Sequence, residues 1–416
     1  MSPTETTADV IVIGGGIAGV SIAYELSKAA RVSVLEMEST LAYHTTGRSA
    51  ALFLETYGGP QIRALTSASR ALFEEPPDFF ESALVAPRPL LQIALEGRGH
   101  RIEKMHASVL PLVPDAELLD GSRCREAFPL LRPEMAERGM YEPRAMALDV
   151  AALHQGYVRG ARLNGTEIFR NAEVTSLAQS ADRWTVTTAD GRVHQAPVVV
   201  NAAGAWADAV ATTAGVECIG LTPLRRTIFM VASPMGEASK GLPNCSDVDE
   251  SFYANPDGAQ FLCSPADETP CPPCDAKADE VEIARAIESI NAVTTIGVRS
   301  VGSSWAGLRT FAPDRNPVVG EDPAAPGFFW LAGQGGYGIQ TAPAAARLAA
   351  ALVLGQPVPS DLVTRGLDVT RLAPRRAAPD STLGVGQAIV SAGRERAGRR
   401  ATAPAPTRAG TTRTPP

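Results

Sequence analysis

The sequence predicts a mixed α/β fold. One α/β domain is assembled from separated segments, and a second, β-rich domain is built from the stretches between them. Three observations carry this. Short apolar runs end in glycine turns and pass into helical patterns at three separated places, Val10–Gly19, Val198–Trp206 and Phe328–Gly338. The stretch 76–145 is proline-rich and less regular, and 227–296 is rich in strand-like segments. At 416 residues the chain can hold two substantial domains, and no fixed-period repeat is visible.

The first glycine unit is the most specific. Val10-Ile-Val-Ile-Gly14-Gly15-Gly16-Ile17-Ala18-Gly19 is a strand broken at G-x-G-x-x-G spacing. A helical pattern follows from Val20 to about Lys28, then a second apolar run, Val32–Leu35, and Glu36. Gly14 permits the sharp turn, Gly16 lets the backbone approach a pyrophosphate, and Gly19 lets helix and strand pack closely. Free N–H groups and the positive dipole end at the helix start suit phosphates. Glu36 stands where a ribose-binding acid belongs. A bound dinucleotide follows from strand, turn, helix, strand and acid in register.

The other elements follow in order. Tyr43 to Ala50 reads as a polar turn of small residues. Gln61–Phe73 reads as a helix, with Ile62, Leu65, Ala68 and Leu72 at helical spacing. Asp149 is an N-cap for a helix over Val150–Leu163. Ile168–Val193 alternates like a hairpin region with Asp190-Gly191 at its turn. Val198-Val-Val-Asn201 is a buried-type strand entering a glycine turn and helix. A helix is expected over 278–292, strands over 298–319, and a last helix over about 341–354, ended by Gly355. The α/β domain then comprises 8–75, 146–223 and 298–372, and the β-rich domain 76–145 and 224–297.

Composition narrows the class. Hydrophobic residues make up 45% and charged residues 20%, as in ordinary globular proteins. The net charge of −7 divides unevenly: residues 375–416 carry +6 and the rest −13. An acidic body argues against a nucleic-acid enzyme. Residues 376–416, rich in Ala, Pro and Arg, read as a disordered basic tail. The opening apolar run is short and preceded by Glu5 and Asp9 rather than basic residues, so neither a signal peptide nor a transmembrane segment is expected. With six cysteines and no such signal, a cytoplasmic protein with reduced thiols is expected. Cys271-Pro-Pro-Cys274 has no second ligand pair near it, so no metal is expected.

Several strings in one order resemble the family of D-amino-acid oxidase and glycine oxidase flavoproteins, and within it the FAD-dependent D-arginine dehydrogenases. They are His44-Thr-Thr-Gly-Arg-Ser-Ala50, Leu153-His-Gln-Gly-Tyr157, Asn201-Ala-Ala-Gly-Ala-Trp206, Asp249-Glu-Ser-Phe-Tyr253, Trp305-Ala-Gly-Leu-Arg309 and Gln334-Gly-Gly-Tyr-Gly-Ile-Gln340. The resemblance covers about residues 8–372 and implies a glutathione-reductase-like FAD domain with a β-rich substrate domain.

It also implies roles. Gly14, Gly16, Ile17, Ala18, Gly19 and Glu36 would hold the ADP half of FAD. Thr46, Gly47, Arg48, Ser49 and Ala50 would run along the pyrophosphate and flavin, and Val174 would meet adenine. Ala203, Gly204 and Trp206 would line the cofactor, as would Gly335, Gly336, Tyr337, Gly338, Ile339 and Gln340 at the start of the last helix. Arg309 would grip a substrate carboxylate, with Arg226 (or its neighbour Arg225) as a second contact and Tyr57 and Tyr253 touching the substrate.

The implied reaction oxidises an amino acid to the imino acid by hydride transfer to flavin, with O2 or a quinone as acceptor. No general base is assigned; His44 lies close to the flavin segment. No cysteine stands near Arg309–Phe311 to link flavin covalently, so FAD is expected to be noncovalent. Two positions depart from the arginine-specific pattern. Pro87-Arg-Pro89 is followed by Leu90 instead of an acid, and Leu52 replaces a histidine. A neutral, apolar D-amino acid is therefore the expected substrate. The competing expectations are a glycine- or sarcosine-type secondary-amine oxidase, and a flavoprotein subunit that needs a partner.

Overall fold

A computed structural model of the chain describes residues 5–376. Its central sheet has six strands in the order Glu167–Phe169, Val32–Leu35, Val10–Ile13, Val198–Asn201, Phe328–Ala332 and Val318–Glu321. All neighbours run parallel except the last pair. The inner strands are apolar on both faces because both faces are covered. Val10, Val12, Val34 and Val200 pack under helices, against Ile22, Leu26, Leu65 and Leu348. Their neighbours Ile11, Ile13, Leu35 and Val199 pack on the other side against Leu177, Trp184 and Val186. Those last three belong to a meander, Val174–Ser180, Arg183–Thr188 and Val193–Ala196, whose final turn contains Asp190 and Gly191.

The second large sheet is mainly antiparallel. From one edge it runs Gln334–Gly335, Ser303–Phe311, Thr222–Ala232, Gln260–Ser264, Tyr253–Asp257, Asn244–Asp247, Leu90–Ala94, Arg138–Glu142 and Glu117–Asp120. One face packs on the helices Gly121–Ala127 and Glu280–Val293 through Leu91, Phe229, Cys245, Phe261, Ile283 and Ile290. The opposite face carries the polar residues of interest. Leu224 pairs with Arg309, and Arg226 with Gly307. Strand alternation therefore puts Arg226 and Arg309 on one face at diagonal positions, and sends Arg225 to the other.

Several sequence expectations shift. The first helix spans Ile17–Ser27 and the one expected as the last spans Gly338–Val353, each starting three residues before its periodic pattern, and a short helix, Ser360–Thr364, follows the second. Both begin within their glycine turns, where apolar spacing carries no signal. The helices Pro60–Glu74 and Val150–Leu163 form as read, and the Asp149 carboxylate accepts from Ala152 N–H at the second. Ile168 does not join the meander. It lies in Glu167–Phe169, a strand of the parallel sheet. The stretch 76–145 is more regular than it reads, with helix Gly99–Val109 and strands Leu90–Ala94 and Arg138–Glu142. Segment 298–372 divides: Ser303–Phe311 lies in the large sheet and Phe328–Ala332 in the parallel one. Arg376, grouped with the tail by composition, is anchored to Asp314 and to the Asn316 carbonyl. Composition counts an arginine as solvated and cannot see its distant acid. The rest of the tail, 377–416, lies outside the described residues.

Candidate active site

The dinucleotide loop joins the Val10–Ile13 strand to the first helix. Gly14 sits at φ +110°, and a Cβ there would lie 2.5 Å from the Ala202 carbonyl oxygen. A Cβ on Gly19 would collide with the Gly14 carbonyl. Buried Glu36 accepts from Gly15 N–H at 2.6 Å and Glu38 N–H at 2.9 Å. Burial pushes its carboxyl above the ordinary range, and the two N–H groups partly offset this. The Thr46 hydroxyl accepts from Ile17 N–H at 3.0 Å. No partner among the described residues takes the N–H groups of Gly16, Ala18 or Gly19. A helix start with free donors and no Cβ in the way fits the pyrophosphate of FAD.

His154 was not singled out by the sequence. From the helix Val150–Leu163 its Nε2–H donates to the Gly15 carbonyl at 2.9 Å. Burial lowers its pKa, keeping the ring neutral while it fixes the loop.

The segment 43–50 leaves the parallel sheet and reaches the large one. Gly47 closes a tight turn, its N–H donating to Ala42 O at 2.9 Å. The Thr45 hydroxyl donates to Leu308 O at 2.8 Å, and Trp305 Nε1–H donates to Arg48 O at 3.1 Å. The Arg48 guanidinium donates to Ala276 O and Ala306 O at 3.0 Å and pairs with Asp275. Its side chain is thus occupied by the protein, while Thr45, Gly47 and Ser49 stay exposed along the segment and Ala50 is half-buried. His44 donates to Glu38 at 2.9 Å and packs on Trp206 at 4.5 Å; its Nδ1 is buried without a partner. Trp206 follows Ala203 and Gly204, the latter at φ +56°. Val174 opens the meander beside Ile13 and Leu35, near the loop's end of the sheet.

The third glycine turn, 333–338, faces Arg309. A Cβ on Gly335 would enter the Phe311 ring, and one on Gly336 would lie 2.8 Å from Arg309 Nη1. Tyr337 caps the Gly338–Val353 helix and sets its ring 4.8 Å from that of Tyr57. Gln340 turns inward: its carbonyl accepts from Leu54 N–H at 3.1 Å and its amide donates to Thr66 at 2.9 Å. Its side chain joins the chain's own elements, and Gly338 and Ile339 hold the helix against the core.

Arg309 donates to the Tyr57 hydroxyl at 3.4 Å. Burial opposes its charge, but Tyr57 and Tyr253 outweigh this and leave its pKa above the ordinary value. Arg226, 5% exposed, has one nitrogen 3.3 Å from Glu268, and its Nε is buried without a partner. Burial, then the Arg309 charge, lowers its pKa. Arg225 points away and pairs with Asp279 at 2.5 Å. Of the two adjacent arginines, Arg226 is the one on the Arg309 side. Glu268 and Arg315, 2.8 Å apart, join this group and carried no sequence signal.

Beside Tyr57, residues Leu52, Leu54, Leu90 and Ala145 form an apolar cluster. Glu142, directly across from Leu90 in the sheet, accepts from the Thr56 hydroxyl at 2.6 Å. Burial pushes its carboxyl up to about 7. The Cys271 and Cys274 sulfurs lie 3.5 Å apart as free thiols. No described helix is long and apolar enough to cross a membrane.

The chain is similar to known proteins over most of its length. It is 27% identical to human mitochondrial dimethylglycine dehydrogenase over 381 residues, covering 86% of this chain but 43% of that protein. It is 25% identical to glycine oxidase of Bacillus licheniformis, covering 85% of this chain and 95% of that one. The chain thus spans less than half of the mitochondrial relative and nearly all of the bacterial one. Its fold matches glycine oxidase from Geobacillus kaustophilus with TM-score 0.78 at 21% identity, over 90% of this chain and 100% of that one. It also matches the FAD-bound L-α-glycerophosphate oxidase from Mycoplasma pneumoniae with TM-score 0.74 at 20% identity, over 84% and 95% of the two chains. Residues 9–352 match the DAO family model, described as FAD dependent oxidoreductase, so this chain belongs to the DAO family of FAD-dependent oxidoreductases.

Proposed function

We propose that this enzyme oxidises the Cα–N bond of amino acids with neutral, apolar side chains, in the D configuration, to imino acids. The observation that carries the reading is the half-buried Arg309 beside Tyr57, with Arg226 on the same face and the Leu52–Leu54–Leu90 cluster next to them. A guanidinium fork held this way takes a carboxylate bidentately and fixes the α-carbon. FAD, held noncovalently at the Gly14–Gly19 loop, supplies the hydride acceptor. The protein's own task is then orientation, since positioning alone can supply much of the rate. Glu142, the carboxyl across from Leu90, is already engaged by the Thr56 hydroxyl. The leucines favour uncharged side chains over guanidinium or ammonium ends.

A second reading has its own support. Relatives named glycine oxidase, dimethylglycine dehydrogenase and sarcosine dehydrogenase are similar over 79–86% of this chain, which favours glycine or N-methylated amines. Anaerobic bleaching of the flavin against D-leucine, L-leucine, D-arginine, glycine, sarcosine and dimethylglycine separates the two. Fastest bleaching by D-leucine is expected. Preference for D-arginine overturns the apolar assignment, and preference for sarcosine or dimethylglycine establishes the secondary-amine reading. Peroxide yield in air, against reduction of a soluble quinone, identifies the acceptor.

A further inference from the structure

We propose that Glu268 is a specificity-determining residue that confines the arginine group to a single substrate carboxylate and excludes dicarboxylates. The inference rests on the carboxylate-anchor reading above.

Three guanidiniums converge at this wall: Arg226 and Arg309 on the large sheet, and Arg315, which lies 3.8 Å over the Phe311 ring. Three cations alone would favour a doubly charged ligand. Glu250 acts on Arg226 and Arg309 through its charge without a hydrogen bond, and Glu268 alters the count by direct contact. Its Oε1 accepts from Arg315 at 2.8 Å and from Arg226 Nη2 at 3.3 Å, so one internal carboxylate occupies one side of two of the three forks. Two sets of donors are left over. Among the described residues, Arg309 has only the long hydrogen bond to Tyr57, and Arg226 Nε is buried without a partner. That remainder suits one incoming carboxylate, and a second would have to displace Glu268 or meet its charge.

Glu268 is built into place. The preceding residue, Asp267, is 1% exposed and accepts from Thr227 N–H at 2.6 Å and from the Thr227 hydroxyl at 3.0 Å. Thr227 follows Arg226 directly, so the loop is clamped to the strand that carries the anchor. The Ser264 hydroxyl donates to Thr227 O at 2.6 Å and accepts from Ala266 N–H at 3.0 Å, fixing the same loop from its other end. Burial would raise the Glu268 pKa, but Arg315 and Arg226 together hold it below the ordinary carboxylate range. The carboxylate is therefore charged across the working pH range and acts as a standing repulsive element against a second anion, which is one way specificity is built.

The test uses full-length holoenzyme and the visible spectrum of its bound flavin, so it does not depend on turnover. Butyrate and glutarate are titrated into the wild type and Glu268→Gln, and the ratio of their dissociation constants is compared. The wild type should prefer butyrate. In Glu268→Gln the ratio should move toward glutarate by on the order of tenfold to a hundredfold. Glu268→Asp should restore most of the wild-type ratio. Arg315→Gln, which leaves Glu268 in place and removes a cation, should shift the ratio further against glutarate. Under turnover, kcat/KM for D-glutamate relative to D-glutamine should follow the same order. An unchanged ratio in Glu268→Gln overturns the inference. Should that variant lose its flavin, an Arg315→Gln ratio equal to wild type overturns it instead. If neither carboxylate perturbs the wild-type spectrum and no amino acid bleaches it, the anchor reading itself fails and this inference with it.

Discussion

The dinucleotide loop and the arginine wall solve opposite problems with opposite materials. The loop is local: strand, turn, helix, second strand and Glu36 all lie within residues 10–36, and its donors are backbone N–H groups. The wall draws side chains from Arg226, Tyr253 and Arg309 on strands of the large sheet and from Tyr57 and Glu268 on loops, all distant in sequence. Backbone donors need no side-chain identity beyond the absence of a Cβ, so the loop tolerates little change at its glycines. Side-chain donors can be retuned one at a time. Binding of the cofactor should therefore fail all or nothing, and substrate choice should shift by degrees.

The sharpest break in that contrast is Gly19→Ala. The added methyl collides with the Gly14 carbonyl, which is backbone and cannot swing aside. The variant should purify colourless or precipitate, and a flavin-to-protein ratio near wild type would contradict the close packing of helix and strand. Next comes Arg309→Met, which removes a charged partner of a desolvated carboxylate at about 2–5 kcal/mol. Rapid reduction by D-leucine should fall at least 30-fold with full flavin content. A fall of under threefold denies the anchor role.

Glu142→Gln tests the wall's edge through pH. The folded pKa of about 7 lies above the ordinary 4.5, so the group stabilises the fold while protonated. That contribution is complete below about pH 4.5 and is lost as pH rises through about 7, roughly 3 kcal/mol in all. The glutamine variant keeps an acceptor for the Thr56 hydroxyl. It should match wild type in thermal unfolding at pH 5 and exceed it at pH 8; parallel curves at both pH values exclude the linkage. The smallest effect is expected from Arg225→Ala. Its ion pairs with Asp279 and with the buried Asp267 both lie on the other face. Reduction by D-leucine should change less than twofold, whereas Arg226→Ala should lower it at least tenfold.

The same contrast explains what the sequence could tell. Gly14, Gly16, Gly19 and Glu36 are legible because their spacing is itself the structure. Helices such as Val150–Leu163 are legible because one apolar face and an aspartate cap repeat a local rule. Arg226 and Arg309 could be named only by resemblance, since nothing local distinguishes Arg226 from Arg225 until strand register assigns them to faces. Glu268 had no local mark at all, and His154 stood in the Leu153–Tyr157 string without a role of its own. One is an acid in an irregular loop and the other a histidine inside a helix, and only the tertiary fold gives each its partner. The irregular look of 76–145 has a similar cause. Its short strands are stabilised by neighbours far along the chain, such as Leu90–Ala94 beside Asn244–Asp247.

The stitching at Thr45–Arg48 has a mechanical consequence. These residues follow the parallel sheet in the chain and are bonded to the strand carrying Arg309 through Leu308, Ala306 and Trp305. On the proposed reading, the oxidant and the grip on the reductant are thereby surveyed from one benchmark. A change in loops farther along the large sheet then alters which molecule is held and leaves the place where its electrons depart unchanged.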